Sequence, residues 1–479
     1  MPSRNSPAAP MTISARTTAI LPFIVAATFF MEYLDTTVIA TALPQMARSF
    51  SVGPNDVSLG LTAYMLTLAV FIPISGWIAD RVGSRTVYGG ALVIFTLASV
   101  LCGLSGGLTS FTASRVLQGI GGAMMVPVGR MIVVRNTEKS QLLQAISTIT
   151  WPAIVAPVVG PTVGGFITTY ASWHWVFFLN VPFGCLALIA IAKIVPNQRG
   201  AKPRPLDLVG FLLSGVALIA LLYGTELASR DGASFAQAAG FMLAGIVVGI
   251  AAVRHFMISP HPLLDLSTLQ LPTFAVTVLW GTATRIGIEA VPYLSPLLFQ
   301  LGFGLSAFHS GLLLLATAIG NLGMKAFTTR ILNRFGFRTV ATINSTIAAL
   351  TIVAFAWLAP SSPLAWILIV LFAYGMARSM QFTTLATLAY ADVSDAKTAS
   401  ASTLWSVAQQ MTIGMGVAFG AVCLRLSAYY SGSNVSGTSQ FVAADFRWPF
   451  VAAGLLVLAS VTGYYRLPRN AGDRIAAQR

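Results

Sequence analysis

Fourteen runs of about twenty or more predominantly apolar residues divide this sequence, and a bilayer core needs roughly 20 such residues per helix. They lie near 18–42, 57–79, 87–107, 110–134, 143–170, 174–194, 207–227, 236–257, 272–299, 308–328, 339–359, 364–389, 401–425 and 448–466. No soluble core absorbs so much apolar surface. Charged residues make up 9% of the chain, against about a quarter in soluble domains. The expectation is an all-α polytopic membrane protein with fourteen transmembrane helices. An even count puts both termini on one side.

Lysine and arginine indicate which side. Of the 28, 21 fall on the termini, on the alternate loops of their side or within about a turn of the span ends that meet them. Four fall on the opposite loops, Arg48, Arg230, Arg425 and Arg447, and three inside spans, Arg115, Arg285 and Arg378. Both termini are therefore expected in the cytoplasm. The net charge of +14 follows mostly from this asymmetry, because the basic residues are dispersed in short loops rather than clustered as in a nucleic-acid interface. The first apolar run is full length and holds two acids, so it reads as a retained helix and not a cleaved signal. Cys102, Cys185 and Cys423 sit singly in apolar runs, a pattern that indicates neither a disulfide framework nor a metal site.

A repeat lies in the loops. "DRVGSR" at 80–85 and "NRFGFR" at 333–338 match at an offset of 253, placing Arg81, Gly83 and Arg85 on Arg334, Gly336 and Arg338. The same offset carries Glu32 onto Arg285 and brings Asp35 within one residue of Glu289. It also brings the glycine-rich end of span five near "GMGVAFG" at 414–420. Internal repeats of this kind recur in secondary transporters. The expected organisation is a tail at 1–17, a six-helix bundle at 18–194, and a connector with two inserted helices at 195–271. A second six-helix bundle at 272–466 and a tail at 467–479 complete it. The outer loop at about 427–447 is polar and rich in Ser and Gly; no function is assigned to it.

Charges inside the spans carry the functional reading, since each costs at least ~2.5–3.5 kcal/mol on insertion scales. Asp35 lies about seven residues, or roughly 10 Å, from the outer end of its span, and Arg115 about five residues, or roughly 8 Å. Glu32, one turn before Asp35, is a second proton site, a cation-binding group or a polar cavity residue. Arg285 and Glu289 are spaced to pair within one helix, or to meet a substrate. Arg378, with Gln381 on its face, either meets an acid from another helix or awaits an anion. Trp151 and Gln409 are further candidates for a cavity lining, with ordinary helix packing as the alternative. No histidine lies deep in a span, so a proton relay here must use carboxylates.

Several segments resemble one family. "LDTTVIATALP" (34–44), "GWIADRVGSR" (76–85), "RVLQGIGGAMM" (115–125), "APVVGPTVGG" (156–165) and "WHWVFFLNVPFG" (173–184) resemble motifs of the major facilitator superfamily. The branch they suggest is the fourteen-helix drug:proton antiporters of EmrB/QacA type. The stretch at 283–304 is similar to the MdtD-type multidrug resistance branch, and the likeness covers nearly the whole chain. One departure is Ala156, where the fifth-helix motif commonly begins with Gly. The resemblance implies a major facilitator fold arranged as 6 + 2 + 6 and helices one and four side by side, so that Asp35 and Arg115 can pair. It implies that Gly76, Asp80, Arg81, Gly83 and Arg85, with Arg334, Gly336 and Arg338, hold one state of a two-state gate. Gly160, Pro161, Gly164 and Gly165 are expected to bend span five and let it pack closely.

These features lead to a proton-coupled antiporter of the bacterial inner membrane that exports small molecules by alternating access, with Asp35 as the coupling acid. Two cargoes compete. Hydrophobic cationic drugs suit Glu32 and Asp35; an organic anion, such as a carboxylate metabolite or its metal complex, suits Arg285 and Arg378. No His-Glu-x-x-His marks an enzyme, the one Gly-x-Ser-x-Gly match, "GLSGG" at 103–107, has no deep histidine to serve it, and no Gly-x-x-x-x-Gly-Lys-Ser/Thr marks an ATPase. A passive channel is the remote alternative. Protons are the expected coupling ion, with no cofactor. The expected partners are lipid and a small-molecule substrate, not nucleic acid. A monomer is expected, and an adaptor or outer-membrane channel is left open.

Overall fold

The computed structural model describes residues 15–52, 54–200, 205–229, 234–305, 307–394, 397–431, 441–468 and 471–472. Most of both expected tails and the middle of the 427–447 loop lie outside these residues, as does the side chain of Pro161. The described residues contain no strand.

The first set of helices is α1 (Ala15–Phe50), α2 (Pro54–Phe71), α3 (Ser75–Val82), α4 (Ser84–Gly103), α5 (Leu108–Asn136), α6 (Leu142–Thr150), α7 (Pro152–Tyr170), α8 (His174–Phe178) and α9 (Asn180–Ile194). Next come α10 (Leu208–Ser229) and α11 (Phe235–Ile258). The second set is α12 (Pro272–Leu297), α13 (Ala307–Phe335), α14 (Phe337–Ala354), α15 (Leu364–Leu388), α16 (Thr398–Ser431) and α17 (Arg447–Tyr464). A 3-10 turn, Ile72–Ile74, joins α2 to α3 as one span.

Thirteen helices among the described residues are long and apolar enough to cross a membrane. The fourteenth expected span, 143–170, is divided into α6 and α7. Its break falls where Trp151 keeps helical dihedrals (φ −62°, ψ −31°) but Pro152 follows it. A proline has no N–H to donate to the preceding turn, so the helix is interrupted at that point.

Glycine sets two of the other junctions. Gly83, between α3 and α4, has φ +112°, and Gly336, between α13 and α14, has φ +76°. At these φ values a Cβ collides with the backbone, so only glycine is at ease. The two segments matched by the sequence repeat therefore make the same turn.

Packing repeats as well. In the first set α1 lies on α7, α2 on α5, α4 on α5, and both α1 and α4 on α9. In the second set α12 lies on α16, α13 on α15, α14 on α15, and both α12 and α14 on α17. These are the same pairs of spans, eight positions apart once the α10–α11 hairpin is counted. The α10–α11 hairpin is packed mainly on itself, with α10 also touching α2 and α16. Its outer faces are apolar and exposed, as at Leu212, Val216, Val247 and Ile250, which suits lipid contact.

One end of the bundle gathers the alternate loops. There Gly200 N–H donates to the Asp80 carbonyl (2.8 Å), Lys397 Nζ to Ser267 Oγ (3.0 Å) and Arg338 Nη2 to the Tyr465 carbonyl (2.9 Å). Asp207, just before α10, ties the hairpin base together. Its carboxylate meets His255 Nε2 at 2.8 Å and accepts from the N–H groups of Gly210 (2.8 Å) and Leu263 (3.1 Å). Burial raises the Asp207 carboxyl, but these hydrogen bonds outweigh it and hold it below the ordinary aspartate value.

Candidate functional site: a buried carboxylate network and a cationic cavity

Asp35 and Arg115 are brought together in the interior of the first set. Arg115 Nη1 lies 2.7 Å from Asp35 Oδ2, and both side chains are fully buried. Two neutral donors complete the carboxylate: Gln118 Nε2 (2.9 Å) and Asn180 Nδ2 (2.7 Å), both to Oδ1. Gln118 and Asn180 also donate to Ser99 Oγ, at 2.9 and 3.2 Å. The Arg115 guanidinium lies over the Tyr64 ring, 4.2 Å from its centroid. Sequence reasoning missed Gln118 and Asn180, although each falls inside a motif quoted above. Both are neutral, and a neutral amide on a helix has many uses.

Glu32 has a different environment. It is 5% exposed, and its Oε2 is buried with no hydrogen-bond partner, as is the nearby Tyr64 hydroxyl. Both groups face the flat surface that Gly122 leaves on α5.

A cavity of about 180 Å³ lies between the two sets, lined by Tyr33, Arg130, Thr150, Arg285, Glu289, Lys325, Arg378, Trp405 and Gln409 among others. Of the residues expected there from sequence, Arg285, Glu289, Arg378 and Gln409 line it. Trp151 does not; it stacks on Phe30 with centroids 5.7 Å apart. Gln381 does not either, being buried between Ser345 (2.8 Å) and Asn344 (2.9 Å).

The expected pairing of Arg285 with Glu289 along α12 is not formed. Arg378 Nη2, from α15, donates instead to both Glu289 oxygens, at 3.1 and 3.2 Å. Arg378 has therefore found an acid on another helix. Arg285 lies instead over the Trp405 ring at 3.9 Å, and its Nη1 is buried without a hydrogen-bond partner.

Two cavity cations were counted with the termini-side loops and belong here instead. Arg130 donates to Ser406 Oγ (3.3 Å) and Gln409 Oε1 (3.1 Å). Lys325 donates to Thr150 Oγ1 (3.0 Å) and Thr383 Oγ1 (2.6 Å). Both lie within a turn or two of a span end, where a basic residue reads as a loop flank. Four cations and one carboxylate thus line the cavity, and that carboxylate is committed to Arg378.

On the termini side of the cavity the two sets are sealed together. Ser402 Oγ donates to the Pro127 carbonyl (2.6 Å), and Lys139 Nζ to the carbonyls of Tyr390 and Val393 (2.9 Å each). Gly76 lets α3 lie directly on Ala399 and Thr403 of α16. Beside it Asp80 pairs with Arg135 at 3.0 Å, and Arg81 lies 5.4 Å from the Trp77 ring. Arg85 is exposed, and Arg334 lies 5.5 Å from the Phe335 ring. The second set carries Asn333 in place of Asp80, so the Asp80–Arg135 ion pair has no counterpart there.

Within α7, Gly160 meets Thr37 of α1 so closely that a Cβ would collide with it. Gly164 is buried, and its carbonyl accepts from Thr168. Gly165 corrects the expectation of close packing: no other helix approaches within 4 Å of where its Cβ would be.

The comparisons agree with this architecture. The family profile described as Major Facilitator Superfamily matches residues 25–418. MdtD multidrug resistance proteins are 35% identical over 460 residues, covering 95% of this chain and 96% of theirs, in Escherichia coli strain 55989 and in Shigella boydii serotype 18. Among solved structures, the human organic anion transporter MFSD10 superposes with TM-score 0.65 at 15% identity, over 93% of this chain and 99% of that one. The proton:xylose symporter XylE does so with TM-score 0.65 at 14% identity, over 96% and 97%.

Proposed function

Because the chain belongs to the Major Facilitator Superfamily and is a multi-pass membrane transporter, not an enzyme, we propose that it is a proton-coupled antiporter exporting small molecules across the bacterial inner membrane. The termini would lie in the cytoplasm, and alternating access would operate about the cavity between the two sets. Asp35 supports the coupling role: it is a carboxylate buried midway along a span with its counter-ion on a different helix. If α1 and α5 shift against each other, Asp35 exchanges Arg115 for a proton. One charge moving through 100 mV supplies about 2.3 kcal/mol, enough for roughly a fifty-fold gradient.

The names of the relatives favour drugs as cargo. The cavity favours an organic anion, for which one observation carries the reading: Arg130, Arg285 and Lys325 face it with no carboxylate partner among the described residues. Its volume of about 180 Å³ is also below the ~300–1,000 Å³ of pockets for drug-sized ligands. Proton flux into liposomes, driven by an imposed pH gradient and measured with cationic drugs and with carboxylates, decides between them. We expect carboxylates to elicit flux and Arg285→Gln to reduce it at least tenfold, with Asp35→Asn abolishing it. Flux elicited by cationic drugs alone, unchanged in Arg285→Gln, would return the cargo to drugs.

A further inference from the structure

The cavity cations differ in what holds them. Arg285 rests on Trp405 and Arg378 is neutralised by Glu289. Arg130 and Lys325 instead cross from one six-helix set to the other. Arg130, on α5, donates to Ser406 and Gln409 of α16; Lys325, on α13, donates to Thr150 of α6 and to Thr383 of its own set. The offset of 253 carries Arg130 onto Thr383 and Thr150 onto Thr403. The α5–α16 and α15–α6 seams are thus the same contact seen from either side of the repeat, and each holds one cavity cation. All four acceptors are neutral, and an anion offers a cation a charge–charge attraction that a neutral acceptor lacks.

We propose that Arg130 and Lys325 are switching cations. With neutral acceptors they bolt the termini side of the cavity shut, and an anion in the cavity draws them off those acceptors and favours opening. Linkage makes the effect reciprocal: the state with open seams binds the anion more tightly. Arg285 serves as a fixed anchor in both states. For an exporter loaded from the termini side, this gives tight binding at loading and weaker binding once the seams close. The inference rests on the anionic-cargo reading, but its two parts separate by experiment.

The full chain, with Cys102→Ala, Cys185→Ser and Cys423→Ala, takes spin labels at Ser140→Cys and Thr339→Cys, exposed positions on the termini side of the two sets. Distances are measured by electron double resonance in nanodiscs, with sulfate as the anion probe. Arg130→Met with Lys325→Met removes the bolts; Gln409→Ala with Thr150→Val removes acceptors and keeps the cations. Both should raise the open-to-closed ratio about tenfold, a shift of roughly 1.4 kcal/mol. Sulfate should open the parent protein, open the acceptor variant at several-fold lower concentration, and leave the cation variant unmoved. A closed distribution in both variants overturns the bolts. Open variants with no sulfate response in the parent or the acceptor variant leave the bolts standing and sink the anion reading. Sulfate that closes the parent overturns the competition. Should the double methionine variant not fold, Arg130→Met alone and the acceptor variant decide the first point.

Discussion

At the scale of single residues, Asp35 stays buried because Arg115, Gln118 and Asn180 supply what water would have supplied. Removing one member of a buried ion pair typically costs 3–5 kcal/mol, because the other charge is left uncompensated. Asp35→Asn should therefore insert normally, lose proton-coupled flux and melt at lower temperature. Adding Arg115→Met should restore much of the melting temperature and none of the flux. Flux returning with stability in that double variant would show that Asp35 only holds the fold. The ion pair was legible because an intramembrane charge is costly and demands a partner, and because the family resemblance put helices one and four side by side. Arg130 and Lys325 were not legible as cavity residues. Position along a span does not distinguish a side chain reaching back to the water from one turned into the protein, and snorkelling is the usual habit near span ends. The choice of Arg378 over Arg285 by Glu289 was equally out of reach: helical spacing names partners on one helix and says nothing of the next helix.

At the scale of elements, the turn glycines give the repeat physical content. Both sit near or in a backbone region that essentially only glycine occupies, which costs other residues about 1–3 kcal/mol. Gly83 has a second constraint, since a Cβ there would strike Asn197, whereas nothing lies within 4 Å of a Cβ at Gly336. Gly83→Ala should thus lower the melting temperature more than Gly336→Ala does; equal losses would mean the Asn197 contact is immaterial. The base of the α10–α11 hairpin should be sensitive to acid. The Asp207 carboxyl is held below its ordinary value in the folded protein, so the stability it contributes is present above that ordinary value and is lost as pH falls through the folded one. Protection of the amides at the start of α10, taken relative to their intrinsic exchange at each pH, should decline as pH falls below about 4 in the parent, and should be lower and flatter with pH in Asp207→Asn. The sequence showed where most helices begin and end, because apolar length and glycine or proline punctuation are local. It did not show the interruption at Trp151–Pro152 as a break in span five, since the apolar run continues across it.

At the scale of the whole molecule, that interruption carries the topology. The asymmetry of lysine and arginine predicts cytoplasmic termini only if 142–170 crosses the membrane once, as α6 and α7 together. Four positions test this in a cysteine-free background, all exposed: Ser110, Ser140, Thr339 and Ser361. If every span crosses, an impermeant maleimide should label Ser110→Cys and Ser361→Cys in spheroplasts, and Ser140→Cys and Thr339→Cys only after permeabilisation. If 142–170 fails to cross, every later loop changes side, so Ser361→Cys and Thr339→Cys exchange behaviour while Ser110→Cys and Ser140→Cys do not. That pattern would also separate the cation-rich loops of the second set from those of the first, and would place Lys139 on the opposite side from the carbonyls of Tyr390 and Val393 that it reaches. The hydrogen bonds between the sets therefore predict the same outcome as the charge asymmetry: labelling that follows one crossing at 142–170, with Lys139 and its two carbonyl acceptors on one side.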